Sequence, residues 1–174
     1  MQGVYSKRDS MTEPSEHEIK LAKLPHDIFL SNLIMNHILL FAGISTFGVQ
    51  GLPYFPLVPF FSISAIAYTF YRSSKVKRED GEFAYIHWQI ARRWSKLFAS
   101  VLTFMLSVAL FGWLANENFG MMKEMVYGLI GGLGLLPTLV TVLVLIIIES
   151  DSLHHARVGT LPKWARRKYL GEQD

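Results

Sequence analysis

Charged residues vanish from the chain over three long stretches. Ile28 to Tyr71 carries none in 44 residues, and Leu97 to Asn116 and Met125 to Ile148 carry none either. Apolar residues fill these stretches in clumps and do not recur at the period of a half-buried helix or strand, so no polar face is left to turn to water. A bilayer core about 30 Å thick takes roughly 20 apolar residues as helix. The first stretch therefore holds two spans. It breaks at Gly48-Val49-Gln50-Gly51-Leu52-Pro53-Tyr54-Phe55-Pro56, where glycine loosens the backbone and proline removes an amide donor. The pattern predicts four spans, near 28–49, 57–72, 97–115 and 126–148. They are expected as helices, which satisfy their own backbone polar groups in lipid, and the runs lack the alternation of barrel strands. A cleavable signal peptide does not explain the first run, which follows a mixed-charge stretch and passes straight into a second apolar segment. The fold class expected is an all-α integral membrane protein, its four transmembrane helices arranged as two hairpins.

Composition agrees: 51% of the 174 residues are apolar and 18% charged, with mean hydropathy +0.27, against about 25% charged in ordinary globular chains. A soluble chain this small needs polar surface almost everywhere. The absence of cysteine excludes disulfides, thiolate metal sites, Fe–S ligation and Cys nucleophiles. The net charge of +3 acquires meaning from where the bases lie. Segment 1–27 has four Lys and Arg, the 50–56 turn none, the 72–96 loop seven, the 116–125 loop only Lys123, and the tail five. With four spans, sixteen of the seventeen fall on one side. By the excess of Lys and Arg in cytoplasmic loops, both termini are expected in the cytoplasm of a bacterial inner (plasma) membrane protein. The basicity is then a matter of topology, and no nucleic-acid partner is expected.

Three segments face water. Residues 1–23 are polar and charge-balanced; the first dozen are expected to be disordered, and Glu16–Lys23 to form a short helix. Leu24-Pro25-His26-Asp27 reads as the entry to the 24–148 transmembrane domain, with proline in a first turn and an acidic group at the positive end of the dipole. In 82–96, Phe83, Ile86, His87, Ile90, Trp94 and Leu97 share one stripe, while Gln89, Arg92, Arg93 and Lys96 lie opposite. This predicts an amphipathic cytoplasmic helix running into the third span. Trp88 and Trp94 are expected at headgroup level, with Arg92 and Arg93 on anionic lipid phosphates; the alternative is a docking face for a cytoplasmic partner. The 149–174 tail has a second basic-aromatic cluster, Lys163, Trp164, Arg166 and Arg167 with Lys168 and Tyr169. It is expected on the membrane surface, or else against an acidic neighbour.

Within the spans, polar residues are few. Asn32 and Asn36 are one turn apart in span one, with His37 beside them. They serve either as interhelical hydrogen-bond glue or as the lining of a pocket for a substrate, quinone or cofactor. Span four carries Gly128, Gly131, Gly132 and Gly134 and then Pro137. These predict close helix contact, within or between chains, and a kink where Pro137 frees the Leu133 carbonyl. His26 and His87 fall at the same ends of spans one and three, as an interfacial haem pair requires. Nothing resembles HExxH, a histidine cluster or a calcium loop, so no metal or cofactor is expected. No nucleophile–base arrangement or phosphate loop is visible, and no catalytic residue is assigned. The expected function is a non-catalytic accessory or scaffold subunit, or an assembly factor, of a larger inner-membrane complex of respiratory or secretion type. Its partners would be other membrane subunits and a bilayer with anionic headgroups. The alternatives are a small facilitative channel or transporter working as a homo-oligomer, lined by Asn32, Asn36 and His37, and a membrane anchor binding haem or quinone.

Overall fold

The computed structural model describes residues 13–171, so the first dozen residues, expected to be disordered, lie outside the described part. The described residues are almost all helical, joined by short turns, and none of them forms a strand. Among the described residues, four helices are long and apolar enough to cross a membrane: α1 (Glu16–Ser45), α2 (Gly48–Lys75), α3 (Glu82–Phe119) and α4 (Lys123–Arg157).

Helix α1 begins well before the Leu24–Asp27 entry predicted above. Ser15 caps it: its hydroxyl accepts from the Glu18 amide at 3.3 Å, and the Glu18 carboxylate accepts from the Ser15 amide at 3.1 Å. These reciprocal bonds satisfy two amides that a helix start leaves unpaired. Pro25 sits inside the helix and is buried. From Asn32 to Leu40 the helix widens to i→i+5 hydrogen bonding. The chain reverses at the predicted Gly/Pro segment, where α2 opens with a 3-10 stretch over Gly48–Tyr54 before its regular helix over Leu57–Lys75. Only glycine fits at Gly51, because a Cβ there would collide with the Ile44 carbonyl.

Helix α3 is one uninterrupted rod of 38 residues, about 57 Å at 1.5 Å per residue. It ends at Gly120, whose φ of 66° is the left-handed conformation that closes helices. The predicted amphipathic segment is thus continuous with the third apolar run. Helix α4 answers its proline differently from a sharp kink: Ile130–Leu135, just ahead of Pro137, adopts i→i+5 bonding. That widening supplies room where a proline ring and its missing amide disturb the ladder.

Two apolar cores stack along α3. The inner one joins Phe29 and Leu33 of α1, Ile66 of α2, Phe98 and Leu102 of α3, and Val142 and Leu145 of α4. The second lies at the charged end, where Phe83, Ile86 and Ile90 of α3 meet Ala22 of α1, Ala156 of α4 and Leu161 and Ala165 beyond it. Trp94 packs against both. Large apolar side chains also cover the outside, among them Leu39, Phe60, Phe104, Phe111, Leu143 and Ile147. So much exposed apolar surface on one small chain is compatible with contact to lipid or to partner protein.

Candidate functional site

Three side chains far apart in sequence meet where the helices leave the inner core. His26 Nδ1 lies 2.6 Å from Glu149 Oε2, and His26 Nε2 lies 2.9 Å from His87 Nδ1. His87 Nε2 in turn lies 3.4 Å from the Thr160 carbonyl oxygen. All three side chains are sealed from solvent, each at 0% exposure. The rings of His26 and His87 cross edge to face at 5.1 Å, and Phe83 closes the other side of His87 at 4.7 Å.

The terminal carbonyl sets the proton count of this chain. A carbonyl only accepts, so His87 carries its proton on Nε2 and accepts at Nδ1. His26 must then donate from Nε2, which leaves its Nδ1 and the Glu149 carboxylate to share a single proton. The unit is therefore neutral overall whether that proton sits on the imidazole or on the carboxyl. Neutrality removes most of the desolvation cost that an isolated buried carboxylate would carry. One atom is left unmet: Glu149 Oε1 is buried without a partner.

About two to three helix turns deeper along α1 is the network around Asn32, Asn36 and His37. Asn32 Nδ2 donates to Ser62 Oγ at 3.1 Å, and Asn36 Nδ2 donates to the Val58 carbonyl at 2.9 Å and to Asn32 Oδ1 at 3.3 Å. His37 Nε2 pairs with the same Ser62 hydroxyl at 2.9 Å, and its ring stands edge-on to Phe98 at 4.9 Å. The i→i+5 stretch covers all three residues. With that spacing, residues four and five apart both lie nearly above one another, so Asn32, Asn36 and His37 reach one neighbour, α2. In a regular α-helix His37 would be turned away from Asn32. Widened turns of this kind recur where a helix must aim particular side chains. Beside the network an open groove of about 640 Å³ is lined in part by Asp27, Ser31, Asn32, Met35, Asn36 and Phe61. Ser62→Ala removes the shared partner of two buried side chains and is expected to cost about 1–2 kcal/mol. The thermal midpoint of detergent-solubilised protein would show it; an unchanged midpoint would mean the network carries no stability.

The other sequence-derived residues fall in two places. On α4, a Cβ at Gly128, Gly131 or Gly132 would meet nothing within 4 Å, whereas Gly134 is packed on Met105 at 3.4 Å. Gly134 is thus used inside the chain, and the other three lie on an open face with the exposed Pro137. The basic-aromatic residues gather at the charged end, but not as one flat patch. Trp88 is enclosed, 1% exposed, with the Arg72 guanidinium 5.9 Å from its ring centroid. It therefore fills the protein rather than meeting headgroups. The stripe of Phe83, Ile86 and Ile90 is likewise covered by α1 and by the tail. Periodicity reveals that such a face is covered; what covers it came from segments whose own apolar residues are few. The tail folds back so that Trp164 meets Trp94 edge to face at 6.3 Å, with Arg93 over both rings. Arg92 is half-buried beside them, and Lys163 and Arg167 are exposed.

Sequence reasoning missed the Glu149–His26–His87 chain as a unit. The signal available was that His26 and Glu149 flank the charge-free runs at Ile28 and Ile148, while His87 sits on the apolar stripe of the segment that leads into the third run. Among the described residues, no group of three His, Cys, Asp or Glu side chains is arranged to hold a metal ion. No family model, curated protein or solved structure matches the chain.

Proposed function

We propose that the chain is a four-span membrane protein with both termini in the cytoplasm, and that it serves as a non-catalytic accessory subunit or assembly factor of a larger inner-membrane complex. The four spans form two hairpins, α1–α2 and α3–α4. In this arrangement the histidine–glutamate end, the 76–81 turn and the tail face the cytoplasm with sixteen of the seventeen basic residues. The observation that carries the subunit reading is the glycine face of α4. Gly128, Gly131 and Gly132 leave open space in the chain's own fold, and small residues let a second membrane helix approach closely enough for backbone packing. The buried polar side chains support the same reading, because Asn32, Asn36, His37 and Ser62 bond one another across α1 and α2 as interhelical ties do.

A second reading is favoured by the groove beside Asn32 and Asn36: a facilitative path or a quinone-like ligand held against α1 and α2. Two measurements separate these. Reporter fusions at both ends are expected to be active only in the cytoplasm, and a reporter at the Phe119–Lys123 turn only outside; opposite signals from the two ends would overturn the topology. Purification from native membranes is expected to bring down unlike subunits in fixed ratio. A homo-oligomer that passes solute in liposomes would favour the groove instead.

A further inference from the structure

The contact between the tail and α3 leaves hydrogen-bond donors without acceptors. Arg93 stacks its guanidinium 5.3 Å from the Trp94 centroid and 4.9 Å from that of Trp164. Stacking on ring faces fixes the guanidinium plane and leaves the N–H groups on its edge free to bond. Trp94 Nε1 is buried and donates to nothing, and Arg166 Nε, two residues along from Trp164, is also buried and unmet. Tyr169 lies in the field of the same Arg93: burial raises the phenol above its ordinary range, and the guanidinium partly offsets this.

Neither α3 beyond Glu82 nor the tail supplies a counter-charge at this corner among the described residues. Residues 83–116 and 161–171 hold seven Lys and Arg side chains and no Asp or Glu. Glu82, which approaches the tail through Arg78, is already paired with that arginine. Among the described residues these donors thus have no acceptor. Their surroundings say what kind would fit. Trp94 packs against both apolar cores, so the corner stands where the charged end gives way to the apolar shaft. From Arg93, the same face of α3 continues through Leu97 and Phe104, both exposed, at 42% and 54%. An acceptor here has hydrocarbon directly below it.

We infer that Arg93, Trp94, Trp164 and Arg166 form a binding site for the phosphodiester of an anionic phospholipid, whose acyl chains lie along Leu97 and Phe104. Guanidinium groups match a phosphate with two parallel N–H bonds, and the Trp94 and Trp164 rings hold the Arg93 plane in place. The site deepens the membrane-spanning reading and rests on it. A chain that stays in solution without detergent defeats that reading, whereas loss of headgroup selectivity in a detergent-held chain defeats only the lipid site.

The test is native mass spectrometry of the full chain in detergent, offered phosphatidylglycerol and phosphatidylcholine in equal amounts. The wild type is expected to retain phosphatidylglycerol over phosphatidylcholine by roughly tenfold. The double substitution Arg93→Gln with Arg166→Gln is expected to abolish the preference. Lys75→Gln with Lys77→Gln, which removes the same charge elsewhere, is expected to keep it. Arg93→Lys preserves the charge but not the planar fork, and is expected to lose most of the preference; this variant decides the matter if the double one fails to fold. Equal retention of the two lipids by the wild type, or equal loss in both double variants, would overturn the site. Displacement of the lipid by millimolar inorganic phosphate or glycerol phosphate would overturn the lipid as its occupant.

Discussion

Replacing His26 with alanine is expected to be among the most damaging single changes in this chain. It leaves Glu149 buried at 0% exposure without its 2.6 Å partner and deprives His87 of its donor. Removing one member of a buried, hydrogen-bonded pair typically costs about 3–5 kcal/mol, because the other is stranded away from water. At about 2–4 °C per kcal/mol for a chain of this size, the thermal midpoint in detergent should fall by roughly 10 °C. Glu149→Gln makes the contrasting variant. A carboxamide has an N–H to donate to His26 Nδ1, so the neutral hydrogen-bond chain survives, and the cost should stay within about 1–2 kcal/mol. Glu149→Ala leaves that nitrogen unpaired and should fall between the two. The order Gln, Ala at position 149, then Ala at 26, read by circular dichroism melts, is the expected result. A glutamine variant as damaged as His26→Ala would mean that a full ion pair, not a shared proton, holds the helices together.

The second large effect is expected on association rather than folding. Leucine at Gly128 or Gly132 meets open space in the isolated chain, so its melting temperature should change little. The same substitution blocks close approach of a neighbouring helix, and recovery of partner subunits by affinity purification should drop about tenfold, the equivalent of 1.4 kcal/mol. Gly112→Leu and Gly134→Leu give the reverse pattern. A Cβ at Gly112 already stands 3.0 Å from Val126, and one at Gly134 stands 3.4 Å from Met105. These variants should therefore destabilise the chain itself by overpacking, about 1–3 kcal/mol. His37→Ala should leave association intact. Full recovery of partners with Gly132→Leu would remove the glycine face as the contact, and with it the main support for the subunit reading.

The four long helices were legible because loss of charge over twenty or more residues is a strong signal, and the Gly/Pro cluster at 48–56 marks the only interruption of the longest run. The continuity of 82–119 was legible too, since the amphipathic stripe passes into the apolar run without a breaker. The widened turns were not. Asn32–Leu40 holds no proline or glycine, and i→i+5 bonding there is tied to the reach of Asn36 and His37 toward α2, a tertiary demand. The early start of α1 was half visible: Ser15 followed by Glu18 is a capping signature, but Pro25 suggested a first turn rather than an interior position. The buried histidine–glutamate chain joins residues 61 and 123 positions apart, and no local pattern reports a meeting across such distances. The Asn32, Asn36 and His37 cluster was found because its members are local to one helix.

Helix α3 keeps unbroken i→i+4 bonding over 38 residues, while α1 and α4, which pack on it, each contain a widened turn. Stiffness is therefore unevenly shared. The bundle has a mast and two jointed stays, and both stays are tied at the histidine–glutamate knot, Glu149 on one and His26 on the other. A load applied at the cytoplasmic end would travel undiminished along the mast and be taken up as a change of helical register in the stays, one joint lying at Asn32–Leu40 and the other at the glycine face offered to a neighbour.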